Sequence, residues 1–407
     1  MLVAALSVRS QCSVRAPSHS EQDSACVLCL TSDQTERKVA AVTSERLLGL
    51  YDRTTLQDVC SFGSAAAPTH ADRINELCFS PADILYSASS DGTVRGWDAG
   101  AANAGPSIEL STGGNEVWSV DVDGGWLLAA GTETAVMVWD VRRTATPVVQ
   151  YEVHTESVTA VRFHPTSSGS HLLTGSMDGL VCEIDCNVLE EDDAVVGIHN
   201  TESPVTAIGF YGSADAKSVG RKKHLAWALS SIDTVTLWDL NAAEQLQHYD
   251  DLVAHRSADH LDEATAAVRG RPSSGTTGVT LDYVTGCQWD EWSGRLLMMG
   301  GLCNGSAYTF ALQDDHRLQL VHTLAPASGT LAPSSKGHAD RIRCFHYGRH
   351  SLITGAEDGR ICASSWESAD GDAAEATQAT EPVGGAGPSS KKAKRPKDKD
   401  KLRAKPY

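Results

Sequence analysis

Residues 89–98 of the chain read Ser89-Ser90-Asp91-Gly92-Thr93-Val94-Arg95-Gly96-Trp97-Asp98, and two later stretches end in the same way. Residues 130–140 and 231–239 also place a short polar turn before a strand-like run that closes on Trp-Asp. Alternating apolar residues predict a β-strand with one buried face, and the turn before it predicts a hairpin. One structural unit is therefore repeated along the chain.

Aligning the strand endings divides the chain into seven units. The endings are Tyr51-Asp52, Trp97-Asp98, Trp139-Asp140, Ile184-Asp185, Trp238-Asp239, Phe310-Ala311 and Ser364-Ser365. The aspartates of the first five endings are separated by 46, 42, 45 and 54 residues. A period of about 40–45 residues that ends in Trp-Asp resembles the WD-repeat family, whose repeats each form one four-stranded blade of a β-propeller. The resemblance implies an all-β fold, a seven-bladed WD-repeat β-propeller over residues 1–366.

Several stretches stand outside the repeat. Residues 212–224 and 249–280 are predicted to be loop insertions, the second of them between the fifth and sixth blades. The acidic run at residues 190–193 is predicted to be a solvated connection after the fourth blade. Residues 2–10 suit an N-terminal strand that closes the ring. Alternatively, residues 1–20 resemble a targeting segment, because they contain arginines and serines and lack acidic residues.

The net charge of −18 is distributed unevenly. Residues 391–407 contain nine Lys or Arg and two Asp, a net charge of +7, which leaves −25 for residues 1–390. An acidic body favours basic proteins or peptides as partners and disfavours nucleic acid as its main ligand.

The C-terminal segment, residues 367–407, is predicted to be a disordered basic tail. A cluster in it resembles a nuclear import signal and consists of Lys391, Lys392, Lys394, Arg395 and Lys397. This predicts an import receptor as a partner and a nuclear or nucleocytoplasmic protein. The alternatives are a weak, nonspecific contact with nucleic acid and a charge that only keeps the protein soluble.

Eleven cysteines, an odd number, show no disulfide framework and are interpreted as reduced thiols. Cys26 and Cys29 have the spacing of a metal or redox pair. They lie, however, in an apolar strand-like run, where this spacing places the two thiols on opposite faces. No apolar run is long enough to span a bilayer. We therefore expect no metal, no cofactor and no membrane partner.

The family resemblance implies a hydrogen-bonded chain of His, Ser or Thr, Asp and Trp inside each blade. The matching positions are His70, Ser87, Asp91 and Trp97 in the second blade, His154, Thr174 and Asp178 in the fourth, and His338, Thr354 and Asp358 in the seventh. Ile184 and Ser364 stand at the Trp position of the last two. These sets look like hydrolase triads, but the same set recurs and the Ser lacks a nucleophile elbow. We therefore assign them a structural role and expect no catalytic residue and no enzyme.

Two stretches are candidates for partner contact near the rim of the ring. His70-Ala71-Asp72-Arg73-Ile74 and His338-Ala339-Asp340-Arg341-Ile342 are the same pentapeptide in the second and seventh blades. Arg73 and Arg341 either face the central opening as contact residues or form an ion pair with the preceding Asp.

A third candidate is the box at residues 127–142, which resembles the docking box of propellers that bind the damage-binding adaptor of cullin-4 ubiquitin ligases. It ends in Trp139, Asp140 and Arg142, and only Arg142 exceeds what an ordinary blade requires. The alternative interpretation is that residues 127–142 are an ordinary part of a blade and do not dock on a partner.

The last third carries a narrower resemblance, to one particular WD-repeat interaction protein, in residues 281–286, 296–301 and 337–358. Together these features predict a non-enzymatic scaffold or adaptor for protein–protein interaction, nuclear in location, that binds basic proteins or peptides. The alternative is a substrate receptor that docks on the cullin-4 ligase adaptor through residues 127–142.

Overall fold

The computed structural model describes residues 4–14, 25–63, 69–101, 105–165, 171–212, 224–250, 252–253, 281–327 and 336–365. Within these ranges the chain forms strands and one short helix, which confirms the all-β class. The first strand, β1, is Ala4–Ser13. The remaining strands form seven blades in sequence order, five of them separate four-stranded sheets and the last two parts of one eight-stranded sheet.

The first three blades each contain four consecutive antiparallel strands. Blade one consists of β2 (Val27–Ser32), β3 (Lys38–Thr43), β4 (Leu48–Asp52) and β5 (Asp58–Phe62). Blade two consists of β6 (Ile74–Phe79), β7 (Ile84–Ser89), β8 (Thr93–Asp98) and β9 (Ile108–Ser111). Blade three consists of β10 (Val117–Val122), β11 (Leu127–Thr132), β12 (Val136–Asp140) and β13 (Val149–Tyr151).

Blades four to seven continue the pattern. Blade four consists of β14 (Val158–Phe163), β15 (His171–Ser176), β16 (Leu180–Asp185), the helix α1 (Glu191–Ala194) and β17 (Val195–Asn200). Blade five consists of β18 (Val205–Tyr211), β19 (Leu225–Ser230), β20 (Val235–Asp239) and β21 (Glu244–Tyr249). Blade six consists of β22 (Tyr283–Asp290), β23 (Arg295–Gly301), β24 (Ala307–Leu312) and β25 (Leu318–Leu324). Blade seven contains β26 (Ile342–Tyr347), β27 (Leu352–Ala356) and β28 (Arg360–Ser365).

The N-terminal strand β1 supplies the fourth strand of blade seven. It pairs antiparallel with β28, from Ser7 opposite Ser365 to Ser13 opposite Arg360. Ala4 to Leu6 also pair in parallel with β25, which joins blades six and seven into one eight-stranded sheet. The innermost strands β2, β6, β10, β14, β18, β22 and β26 each contact the next, and β26 contacts β2. The ring is therefore closed, and the architecture is the predicted seven-bladed propeller.

Small residues in the second strand of a blade let the next blade approach closely. A Cβ atom at Gly175 in β15 would lie 2.7 Å from Val205 Cγ1 of blade five. A Cβ atom at Gly355 in β27 would lie 2.6 Å from Val27 Cγ1 of blade one. Real Cβ atoms do not tolerate such distances, because protein interiors are close-packed. Glycine at these positions therefore sets the spacing between neighbouring blades.

The structure corrects two of the predicted boundaries. The acidic run at residues 190–193 lies inside blade four, in the connection that contains α1, because β17 follows it as the fourth strand. The expected insertion at 249–280 starts later, since Tyr249 ends β21 and Val253 is buried and pairs with Leu281. Residues 254–280, most of the 212–224 insertion, Trp366 and the whole tail at 367–407 lie outside the described residues.

The propeller has two rims, which differ in the connections that they carry. The top rim carries the turns between second and third strands and the connections between blades. The bottom rim carries the connections between first and second strands and between third and fourth strands. Within the described ranges, no helix is both long and apolar enough to cross a membrane.

Candidate protein-interaction surfaces

The hydrogen-bonded chain of blade two is complete. His70 Nδ1 lies 3.0 Å from Asp91 Oδ2, and His70 Nε2 lies 2.7 Å from Ser87 Oγ. The indole N–H of Trp97 donates to the same Ser87 Oγ over 2.9 Å. Burial acts to raise the pKa of Asp91, but hydrogen bonds from His70, Thr93 and a backbone amide outweigh burial and lower it. A satisfied buried chain of this kind makes the blade rigid.

Blades four and seven contain the same chain without the indole. His154 lies 3.1 Å from Asp178 and 2.8 Å from Thr174 through its two ring nitrogens. His338 likewise lies 3.3 Å from Asp358 and 2.8 Å from Thr354. The aspartates also accept backbone amides of the top rim. All three sets thus join the top rim to a second strand, and the imidazoles are buried.

The two rim arginines differ in their surroundings. Arg73 is exposed, whereas the guanidinium of Arg341 lies 4.3 Å above the ring of Tyr283 from blade six. In both pentapeptides, the backbone N–H of the arginine donates over 2.7 Å to the carboxylate of the preceding aspartate. The aspartate therefore shapes the turn through the backbone and not through the guanidinium. Arg73 is available to a partner, and Arg341 is partly held by Tyr283.

The box at residues 127–142 divides into buried and exposed parts. Trp139 is fully buried in the core between blades two and three, so its inclusion among the contact residues was wrong. The indole fills the core because β12 turns this face toward the neighbouring blade. Arg142, by contrast, is exposed on the bottom rim and forms a bidentate pair with Asp140, with Nε 2.8 Å from Oδ1 and Nη2 2.6 Å from Oδ2.

Sequence reasoning missed a neighbour of Arg142. The Arg142 guanidinium lies 5.0 Å from the ring centroid of Trp126, an exposed residue that precedes β11. The sequence signal was a tryptophan outside the Trp-Asp endings, next to a Gly-Gly turn. Trp292 on blade six is its counterpart, exposed on the same rim, with Arg349 4.4 Å from its ring.

A second missed feature is a charged network on the innermost strands. Arg162 of blade four donates to Glu76 of blade two, and Ser119 of blade three donates to the same carboxylate. Asp121 accepts the backbone N–H of Phe163 over 2.7 Å. Burial raises the pKa of Asp121, and the Arg162 charge opposes that shift. The network ties three consecutive blades together, and its signal was charged residues inside otherwise apolar strands.

A third missed feature lies where blade seven meets blade one. Arg53 follows β4, is 3% exposed, and donates to Ser32 Oγ over 2.7 Å and to the Ser351 carbonyl over 3.0 Å. Its Nη1 also lies 3.1 Å from Nδ1 of His346. Burial and the neighbouring guanidinium lower the pKa of His346 to about 3. We call Arg53, Ser32, Ser351 and His346 the seam cluster.

Within the described residues, no group of three or more His, Cys, Asp or Glu side chains is arranged to hold a metal ion. Cys26 and Cys29 are free thiols, and burial raises the pKa of Cys29 to about 12. A thiol with a raised pKa is a poor nucleophile and a poor metal ligand at neutral pH.

Comparison with known proteins agrees with this geometry. The profile of the family described as WD domain, G-beta repeat matches residues 65–98 and 145–185, which contain the hydrogen-bonded chains of blades two and four. The chain is a WD-repeat β-propeller. Proteins of this family generally serve as non-enzymatic scaffolds that bind other proteins.

Relatives that align over most of their length are WD-repeat proteins as well. This propeller is 29% identical over 367 residues to the WD repeat-containing protein 89 homolog of Dictyostelium discoideum, with 88% of each chain covered. It is also 29% identical over 324 residues to WD repeat-containing protein GTS1 of Arabidopsis thaliana, covering 75% of this chain and 73% of that protein. The narrower resemblance predicted from the last third was to WD repeat-containing protein 89, and the first alignment confirms it.

A further relative aligns with only part of this propeller. Over 132 residues this propeller is 26% identical to the DDB1- and CUL4-associated factor 11 homolog of Caenorhabditis briggsae, covering 31% of this chain and 23% of that protein.

Proposed function

We propose that this WD-repeat propeller is a non-enzymatic nuclear scaffold that binds basic proteins or peptides on its top rim. The observation that carries the proposal is the charge of the top rim in blades three to five. The turns and connections there are residues 112–116, 133–135, 152–157, 177–179, 201–204 and 231–234. They contain five glutamates and no Lys or Arg, and the glutamates are Glu116, Glu133, Glu152, Glu156 and Glu202.

The side chains on this sector suit a basic partner that also carries apolar residues. Glu133, Glu156 and Glu202 are exposed, so a Lys or Arg side chain can pair with each of them. Met177 and Ile232 are 37% and 40% exposed on neighbouring turns of the same rim. Carboxylates steer a cationic ligand toward the surface, while apolar contacts contribute the affinity that survives at physiological salt.

A peptide titration tests the binding site. We expect a Lys/Arg-rich peptide with two leucines to bind the propeller in calorimetry, and to bind more weakly as salt is raised. The variant E133Q/E156Q/E202Q should lose at least ten-fold in affinity. The matched control E244Q/E291Q/D314N removes three exposed acids from the bottom half of blades five and six and keeps the same net charge. Equal loss in both variants would show only a general charge effect and contradict the proposed site.

The nuclear location rests on the tail. Lys391, Lys392, Lys394, Arg395 and Lys397 form a basic cluster that suits the acidic groove of an import receptor. Replacing these five residues by alanine in a fluorescently tagged full-length protein should shift it from the nucleus to the cytoplasm. Unchanged nuclear accumulation of that variant would contradict the assignment.

A second candidate function is substrate receptor of a cullin-4 ligase. Two observations favour it: the partial similarity to a DDB1- and CUL4-associated factor homolog, and the exposure of Arg142 at the end of the 127–142 box. Purified DDB1, the damage-binding adaptor of cullin-4 ligases, should then bind the propeller. Arg142→Ala should weaken this binding. Arg317→Ala is the matched control, because Arg317 is exposed and also pairs with an aspartate two residues before it, but lies on the bottom rim of blade six, away from the box.

A further inference from the structure

An exposed tryptophan, Trp126, directly precedes the 127–142 box. It lies on the bottom rim, in the connection between β10 and β11, and is 56% exposed. Isolated apolar residues on a surface are common, but a tryptophan exposes far more apolar area than a valine or a leucine. What distinguishes Trp126 is how firmly the surrounding residues hold it.

The backbone on both sides of Trp126 is fixed. Asp123 Oδ1 accepts the backbone N–H groups of Gly125 and Leu127, at 2.9 and 2.8 Å. The carbonyl of Trp126 accepts the N–H of Val141 from the connection after β12, at 2.9 Å. The backbone from which the indole projects is therefore fixed before any partner arrives, which lowers the entropy lost on binding.

Arg142 extends the same surface. Its guanidinium covers part of the Trp126 ring and is locked by the two hydrogen bonds to Asp140. Val148, at the end of the same connection, is 55% exposed and adds apolar area. Tryptophan and arginine are the residue types that most often dominate the binding energy of protein interfaces.

The charge of this surface indicates what binds it. Asp123 and Asp140 balance Arg142 and Arg143 in number, but Asp123 is buried and Asp140 half-buried, whereas both arginines are exposed, so a partner meets the two guanidinium groups first. A complementary protein surface offers an apolar pocket for the indole with carboxylates beside it.

We propose that Trp126 is the anchor residue through which this propeller docks on DDB1, with Arg142 as its support. The inference rests on the second candidate function, since it assigns a residue outside the box to the same interface. The occupant is a partner protein whose apolar pocket takes the indole and whose acidic border faces Arg143.

The chain supplies a matched control in Trp292. It is 62% exposed on the same rim and is likewise covered by an arginine, but it lies on blade six, away from the box. Full-length protein with Trp126→Ala, Arg142→Ala or Trp292→Ala is titrated against purified DDB1 by biolayer interferometry. Thermal unfolding of each variant shows that it is folded, as expected for exposed side chains.

We expect Trp126→Ala and Arg142→Ala each to weaken binding at least ten-fold and Trp292→Ala to change it less than two-fold. If Arg142→Ala weakens binding but Trp126→Ala behaves like Trp292→Ala, adaptor docking stands and Trp126 is not its anchor. If the unmodified protein does not bind DDB1, the second candidate function fails and the anchor fails with it.

Discussion

Replacing Arg53 by methionine removes the guanidinium of the seam cluster and keeps most of the aliphatic side chain. The guanidinium bridges blade one to blade seven, because Ser32 belongs to β2 while Ser351 and His346 belong to blade seven. This junction closes the ring. Arg53→Met therefore tests how much of the propeller's stability depends on a polar contact at the closure.

The expected loss follows from the groups left behind. The variant leaves Nδ1 of His346 without its Arg53 partner and reduces the Ser351 carbonyl to the single N–H of Gly348. It also removes one of the hydrogen bonds of Ser32, which still donates to the Lys38 carbonyl. A buried polar group left without a partner costs about 1–3 kcal/mol, and hydrogen bonds to a charged group are the stronger kind. We expect Arg53→Met to lower the free energy of unfolding by about 3 kcal/mol. Ser32→Ala should lower it by about 1 kcal/mol.

Urea unfolding followed by tryptophan fluorescence measures this loss as a shift in midpoint at unchanged slope. Arg37→Met is the matched control, since Arg37 meets Arg53 only through its backbone carbonyl, which the substitution keeps, while its side chain is exposed. This replacement should change stability by less than about 0.5 kcal/mol. A midpoint for Arg53→Met that lies between those of Arg37→Met and Ser32→Ala would refute the reasoning. That result would mean that the guanidinium packs between blades one and seven but that its hydrogen bonds contribute little to the free energy of unfolding.

Three further predictions concern the blades themselves. Ser87→Ala removes the oxygen shared by His70 and Trp97, so urea unfolding should show a loss of about 2 kcal/mol, and a loss under about 0.5 kcal/mol would contradict the structural role of the chain. Gly175→Val drives a side chain into Val205 and should cost about 1–3 kcal/mol in the same assay, whereas the control Gly105→Val, which meets no atom within 4 Å, should be near neutral. Because the folded protein lowers the pKa of His346 to about 3, stability present above the ordinary pKa of about 6.5 should be lost as pH falls, by about 2 kcal/mol at pH 5. Urea midpoints from pH 7 to 4 test this, and a His346→Gln variant with the same acid-dependent loss would exclude His346 as its source.

The repeat predicted the third strands well because their signal is local. Each of the seven aligned endings lies at or next to the end of a third strand, including Ser364-Ser365, which lacks both residues of the signature. The repeat period and the polar turn between the second and third strands are enough to locate a third strand, because both recur in every blade. The acidic run at residues 190–193 was placed after blade four because the fourth strand that follows it has no such local signal. Val195–Asn200 follows an acidic run and exposes alternate residues, so no buried pattern marks it.

The candidate surfaces could be predicted only in part, because the sequence does not show which way a residue faces. Trp139 and Arg142 stand three residues apart, yet one is in the core and the other on the rim. Trp126 becomes a neighbour of Arg142 only because β10, β11 and β12 form consecutive hairpins. Likewise, Glu76 of blade two and Arg162 of blade four are 86 residues apart in sequence and meet beside the innermost strand of blade three. Such pairings depend on the number of blades and on their register, which a single repeat does not encode.

The two rims of the propeller are held in place by different sets of hydrogen bonds. The hydrogen-bonded chains of blades two, four and seven all join the top rim to the second strands, and the chain of blade four holds two of the acidic turns, residues 152–157 and 177–179. The bottom rim is held differently, by Asp123 under Trp126 and by Asp140 beside Arg142. A substitution on one rim therefore leaves the supports of the other intact. It follows that E133Q/E156Q/E202Q should keep any binding to DDB1, and Trp126→Ala should keep any binding to the basic peptide. Loss of both activities in either variant would mean that the rims are not independent and that one partner covers both.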